Sequence, residues 1–384
     1  MFDTVVQQPP GGDLALRTGV GIDRRTGAAA ERLLYDRVVI PPGWEFTLDL
    51  RYEGPPSLGL AALVAHVRAA GLTVGAAGSR GLGRLDCLSA TVRRTDLNSR
   101  ASLLALLVDD TPAEPVDPAA AGQIAAGVRI AWRSTEPALV GASAEGGDGR
   151  LLPLTTTTVD GVLVPVLPGS SIKGMLRSHA ERAVRTLLDP DSEPTADPGD
   201  DPVAAAEALA ARVPAMAVLF GSRERAGALR VPDVAAAPAT GVPPDEWARQ
   251  YTEKPPPLPP WGRARARAAI DRWTGGAADA RLYTTLEPHI PDWEPITLDL
   301  DLARVPDQHG TATLVLLGIA AAPLVEGTAR LGRATTRGLG GIQPLGVTVA
   351  GLPGPAYTGD WWAWLRALAD GAPLDILLGI GGPS

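Results

Sequence analysis

From about residue 125 onward, apolar and polar positions alternate with two periods. Val128–Trp132 has period two, which predicts a strand with one buried face, and it runs into the turn Leu139-Val140-Gly141. Ile172, Leu176, Ala180, Val184 and Leu187 recur at helical spacing and predict a helix over 171–188, ended by Asp189-Pro190. Residues 228–231 then read as a short strand, 296–302 as a longer strand, 313–322 as a helix and 341–349 as a last strand. Trp361, Trp362, Trp364 and Leu365 read as a terminal helix packed on the body. Strands and helices alternating in this way predict an α+β, ferredoxin-like sheet with insertions, the Pro-rich stretch 242–260 being one of them.

The same run of features occurs twice. Ile22-Asp23-Arg24-Arg25-Thr26-Gly27 returns as Ile270-Asp271-Arg272-Trp273-Thr274-Gly275, and each copy reaches a Leu-Tyr pair at the same distance, Leu34-Tyr35 and Leu282-Tyr283. Alternating runs at 46–52 and 296–302 follow, then apolar helical blocks at 58–67 and 313–322. Each copy closes on an arginine-glycine loop, Arg80-Gly81-Leu82-Gly83 and Arg337-Gly338-Leu339-Gly340. The chain therefore holds two related units. Only the second has a front half; the first is expected to leave a core face or sheet edge unfilled, as in a fragment or in a unit that a separate polypeptide completes.

Pro168-Gly169-Ser170-Ser171-Ile172-Lys173-Gly174 opens the predicted helix of the second unit. A helix N-terminus offers unpaired N–H groups and a partial positive charge, Ser170 or Ser171 suits the cap, and Lys173 and Arg177 share a face. That combination suits a phosphate; it equally suits a capped amphipathic helix with solvated cations.

Composition narrows the classes. The 384 residues are 45% hydrophobic, enough for two domains, and Cys87 as the sole cysteine excludes a disulfide framework and a cysteine zinc site. Apolar runs such as 313–322 are too short to span a bilayer, no signal peptide is evident, and a cytoplasmic location without membrane contact is expected. The net charge of −8 argues against nucleic acid, but acid concentrates at 189–207 while Arg263, Arg265, Arg267 and Arg272, and Arg330, Arg333 and Arg337, are local basic clusters.

The 168–177 phrase, with Leu139-Val140-Gly141, Leu219-Phe220-Gly221-Ser222, Ala226-Gly227, Asp233, Ile270–Gly275 and Arg337–Gly340 in order, resembles the RAMP superfamily over about 125–347, and specifically the backbone subunits of type III CRISPR effector complexes. The resemblance implies tandem ferredoxin-like (RRM-like) units, each with a projecting thumb hairpin and the first incomplete. It divides the chain into 1–97, the C-terminal half of a first unit; 98–124, a linker; 125–347, a complete second unit; and 348–384, a helical tail. The second unit would carry an acidic, Pro-rich insertion at about 189–215 and a thumb region at about 232–290.

It further implies CRISPR RNA bound by Gly169, Ser170, Ser171, Lys173, Gly174 and Arg177, by Arg337, Gly338 and Gly340, and by Arg80, Gly81 and Gly83. Asp23, Arg24, Thr26, Asp271, Arg272 and Thr274 fall in the thumbs, although Asp-x-x-Thr-Gly is also good turn chemistry. Partners implied are target RNA, neighbouring effector subunits and a polypeptide completing the first unit. Some members of the family cut target RNA with an aspartate and a divalent metal, Mg or Mn. The matching position here falls near Leu151 or Leu152, and Asp148 is the candidate catalytic residue if the loop is offset. Two alternatives stay open: a guide-processing endoribonuclease, for which His66, His179, His289 and His309 sit in no evident catalytic company, and a non-catalytic protein scaffold.

Overall fold

Four antiparallel strands form the central sheet of the second unit. β1 (Gly127–Ser134), β2 (Leu229–Arg230), β3 (Ile296–Leu300) and β4 (Ile342–Ala350) lie in the order β2-β3-β1-β4. Helix α1 (Gly169–Leu188) links β1 to β2, and α2 (Gly310–Val325) links β3 to β4. Each helical crossover skips one place, which a strand of the other crossover fills; this is the ferredoxin-like split βαβ topology. The chain thus has the α+β fold that its sequence predicts. The computed structural model describes residues 4–7, 14–22, 29–50, 64, 67–68, 71–93, 95–96, 98–108, 113–115, 126–188 and 202–378.

Burial follows the two periods. Val128, Ile130 and Trp132 turn inward while Arg129, Ala131 and Arg133 face out, and Ile130 sits between Ile296 and Val347 in register. Along α1, Ile172, Leu176, Ala180 and Val184 are buried, but Leu187 in the last turn is exposed. α2 is apolar on nearly every side and packs against α1, β4, the Pro214–Phe220 helix and α3 (Trp361–Ala369). Trp361 and Trp364 are buried there, and Trp361 Nε1 donates to Gly318 O at 3.0 Å. With its preceding turn, Asp307–Val325 is long and apolar enough to cross a membrane, more than the sequence pattern alone predicts. It is 61% buried inside the protein, as a core helix is.

Two expected insertions are partly core. Of the acidic stretch, 189–201 lies outside the described residues, whereas Leu209, Val213, Ala215, Met216, Leu219 and Phe220 beyond it are buried. The Pro-rich stretch folds as a helix, Pro244–Thr252, whose Trp247 meets Trp261 with ring centroids 5.9 Å apart. Tryptophans, not prolines, decide its position.

The first unit repeats the second at the level of backbone register. Its hairpin Ala15–Ile22/Ala29–Val39 pairs Gly19 with Tyr35 and Ile22 with Ala29, with an irregularity between Val20 and Ile22. The second hairpin, Gly262–Ile270/Ala277–Pro288, pairs Arg267 with Tyr283 and Ile270 with Ala277, with its irregularity between Ala268 and Ile270. Residues 23–28, which include Asp23, Arg24 and Thr26, and most of the 58–67 block lie outside the described residues. Inside the expected linker, Ser99 caps a helix, Arg100–Leu107, and the strand Ala113–Pro115 pairs with Thr91–Arg93. Among the described residues before 126 only Pro41 is buried, while Leu34, Val38, Leu48, Leu50, Leu104 and Leu107 are exposed. The buried core cluster lies wholly between 128 and 378.

Candidate functional site

The two arginine-glycine loops adopt one backbone conformation. In the first, Ala77 sits at φ 62°, the turn Gly78–Arg80 follows, and Gly81 and Gly83 are at φ 92° and 75°. In the second, Ala334 sits at φ 57°, the turn Thr335–Arg337 follows, and Gly338 and Gly340 are at 85° and 80°. Positive φ at these places favours glycine, which explains the Gly-x-Gly spacing. Gly83 lies against Val74 O, and Gly340 against Leu331 O, so each loop closes on the segment that leads into it.

The first loop is seated on the opening turn of α1. A Cβ at Gly81 would lie 2.8 Å from Asp233 N, 2.9 Å from Asp233 Oδ1 and 2.9 Å from Val231 O. Asp233 accepts from Gly169 N at 2.9 Å and pairs with Arg17 of the first hairpin. Arg230 Nη1 donates to Thr73 Oγ1 at 3.2 Å. Lys173 is buried and donates to Leu229 O at 2.6 Å and to Ser79 O at 3.4 Å. Burial, reinforced by the positive charges of Arg80 and Arg177, pushes its ammonium down to about 8.

The structure therefore brings Gly169, Lys173 and Arg177 together with Arg80 and Gly81, all picked out by the sequence. It arranges them differently from the sequence expectation. The anion at the helix N-terminus is the protein's own Asp233 carboxylate, which takes the Gly169 N–H by the same dipole argument that suits a phosphate. Lys173 serves two carbonyls inside the joint between units, and Arg177 is bonded to Glu181 at 2.8 Å. Arg80 and Ser171 remain exposed beside them, Ser170 and Gly174 are half-buried, and Gly83 lies in the loop. Neither Asp233 nor Arg17 stood out as functional in the sequence. Asp233 marked a family motif, and an arginine on a strand carries no signal of a partner more than two hundred residues away.

The second loop borders a cleft. Leu139, Leu151, Arg267, Tyr283, Thr285, Arg333 and Arg337 are among its lining residues. Arg337 is bonded to the Tyr283 hydroxyl, and the buried Glu287 holds Arg267 at 2.7 Å and Arg265 at 3.4 Å. Arg333 and Arg337, beside an Arg267 that Glu287 neutralises and with Glu145 also on the wall, leave a modest positive excess around a largely apolar cleft, which favours an anionic, partly flat ligand. Gly338 and Gly340 belong to the same loop, though only Arg337 of the expected trio lines the cleft. At the hairpin tip, Asp271 accepts from Trp273 N at 2.8 Å, which lowers its pKa, and Thr274 accepts from Gly276 N at 3.3 Å. These two bonds are the turn chemistry. Arg272 is exposed, and so is Trp273 at 96%.

Asp148 lies in the turn Gly146–Arg150, where both carboxylate oxygens take Arg150 Nε at 2.9 Å and Oδ2 takes Nη2 at 2.6 Å. The guanidinium lowers its pKa below the usual carboxylate value. Among the described residues no group of three or more His, Cys, Asp or Glu side chains could hold a metal ion. A lone carboxylate already spent on arginine does not fit a catalytic Mg or Mn, and Leu151 is the residue on the cleft wall. Of the histidines, burial lowers the pKa of His179 and His289, His309 ends a short turn, and His66 lies outside the described residues.

No curated protein matches the chain. The family model of the RAMP superfamily matches residues 137–343, which runs from the Leu139 turn through α1, the Gly262–Pro288 hairpin and the Thr335–Gly340 loop to the first residues of β4. That is more than half of the 384 residues and contains every residue that lines the cleft. The chain belongs to the RAMP superfamily, and with it to CRISPR-associated, RNA-binding proteins.

Proposed function

We propose that the chain is a backbone subunit of a type III CRISPR effector complex, and that CRISPR RNA runs along the second unit through the cleft between hairpin and glycine loop. One observation carries this reading: in a RAMP protein, Arg267, Arg333 and Arg337 converge on one cleft at the mouth of the Thr335–Gly340 loop. Arginines there neutralise phosphates, and the glycines let backbone approach backbone. Arg80 would extend the track onto the joint between units, and the exposed Trp273 and Arg272 at the hairpin tip would meet the guide–target duplex.

The pairing of Asp148 with Arg150 favours a structural ruler over a nuclease. An aspartate with lowered pKa is a poor general base, and no step of strand cleavage is assigned to it. The chain, expressed with its effector neighbours, should retain RNA of defined length. Presented with complementary RNA and Mg or Mn, Asp148→Ala should leave the cut pattern unchanged. Loss of one cut position would restore Asp148 as catalytic, activity on a repeat hairpin without other subunits would favour a processing nuclease, and absence of retained RNA would refute the reading.

A further inference from the structure

Among the contacts that tie the first unit to the second are Arg17 to Asp233, Gly81 against the Val231–Asp233 backbone, the Ser79 carbonyl to Lys173, and Thr73 to Arg230. The repeat gives three of these contacts an obvious counterpart on the far side of the second unit. Arg265 stands where Arg17 stands on its hairpin, three residues before the same register irregularity, and its own chain meets it only through Glu287 Oε2 at 3.4 Å among the ion pairs of the described residues. Thr336 and Gly338 stand where Ser79 and Gly81 stand in their loop. All three counterparts are exposed, and a Cβ at Gly338 would meet nothing within 4 Å among the described residues. The same backbone that is filled in one loop is bare in the other.

We infer that the bare face, Arg265 with the Thr335–Gly340 loop, is the seat for another RAMP unit, which lays its own Gly-Ser-Ser turn and following aspartate there as Gly169 and Asp233 lie on the first loop. The occupant is a different polypeptide, not a second copy of this chain. In a second copy the turn is already covered by that copy's own Gly81, and its aspartate is already paired with its own Arg17. The joint inside the chain is thus both the template for the next joint and the reason the chain does not extend itself through it. Arg337, which lines the cleft, and Gly338, which does not, would then serve RNA and protein respectively. This deepens the function proposed above, from which it takes only that RAMP units associate.

The test uses a probe with an uncovered turn: residues 126–378, which contain the whole buried core cluster, carrying Gly338→Asn so that its own loop is blocked. Asparagine tolerates positive φ, so the loop keeps its shape while the seat is filled. In RNase-treated samples, sedimentation of the probe with the wild-type full chain should show a one-to-one complex, and Gly338→Asn in the full chain should weaken it at least tenfold. Wild-type full chains should gain no such complex with each other. If the segment lacks a cooperative melt, the full chain carrying Arg17→Glu, Gly81→Asn and Gly338→Asn replaces it as the probe. Binding to neither chain, or equally to both, overturns the inference. So does a result in which Gly338→Asn lowers affinity for a 40-nucleotide RNA and leaves chain association unchanged. Because association is read without RNA, a failure of RNA binding by the full chain would count against the function alone.

Discussion

Two loops of nearly identical backbone sit in this molecule with opposite surroundings. The first, Gly78–Gly83, rests on the opening turn of α1, where Gly81 touches the Val231–Asp233 backbone. The second, Thr335–Gly340, rests on its own unit: Gly332 beside it lies against the Leu139 backbone, and Arg333 N and Gly340 N donate to Leu139 O at 2.6 Å and Pro137 O at 2.9 Å. Gly75, the counterpart of Gly332, meets nothing within 4 Å among the described residues. Among the described residues, the first loop is therefore held by the neighbouring unit at Gly81, and the second by its own unit at Gly332 and Gly340. Local sequence sets the backbone of such a loop, and its surroundings are set by which unit stands next to it.

The comparison breaks most sharply at Asp233. Asp233→Ala removes the acceptor of the Gly169 N–H and leaves Arg17 unpaired in a part-buried place, with no equivalent loss around the second loop. The expected cost is about 3 kcal/mol, with faster proteolysis confined to residues before 126. Denaturant titration and limited proteolysis together read both effects. A matched pair of glycine changes comes next. Gly81→Asn forces an atom against backbone and should destabilise by about 1–3 kcal/mol. Gly338→Asn, at the same φ in open space, should stay within about 0.5 kcal/mol in the isolated chain. Equal effects would erase the distinction between the loops.

Lys173 sharpens it through pH. Its ammonium is pushed down to about 8 against a usual 10.5, so between those values the unfolded chain holds a proton the native lysine has released. Stability should rise as pH goes from about 8 towards 10.5 and be flat in this respect below 8, where both states are protonated. Lys173→Met should remove that rise, which urea titrations at pH 7.5 and 9.5 would show. The smallest effect belongs to RNA. Arg337→Ala should weaken binding and lower the slope of log K against log salt by about 1, and Arg80→Ala should do so less, since one arginine lines the cleft and the other borders the joint. Anisotropy with a fluorescent RNA across a salt series measures both.

Much of the fold was legible because period and order sufficed. The alternation of Val128–Trp132, the stripe from Ile172 to Val184 and the closing glycines marked a strand of the sheet, α1 and both loops, and the repeat marked two stretches that the structure shows as hairpins of one register. What sequence missed depends on distance in the chain. Lys173 looked like a phosphate ligand because a lysine after a Gly-Ser-Ser turn is polar and near a helix start; only the fold shows two carbonyls, Leu229 O and Ser79 O, reaching it first. Asp148 drew attention as an acid in the right loop, and its neutralisation by Arg150 two residues on is a matter of rotamer, which spacing does not reveal. The stretch expected to be a linker carries a helix and a strand because Ser99 caps one and Thr91–Arg93 pairs with the other, neither being a strong periodic signal.

Hydrogen exchange at the two loops of the intact chain reads what covers each of them. Arg80 N and Arg337 N make the same local bond, to Ala77 O and Ala334 O, both at 2.8 Å, so any difference between them reports what covers each loop. The account predicts slower exchange at Arg80 N than at Arg337 N, and loss of that difference in Asp233→Ala; Leu339 and Gly340, buried against their own unit, stand outside the contrast. Equal exchange in the wild-type chain would contradict it.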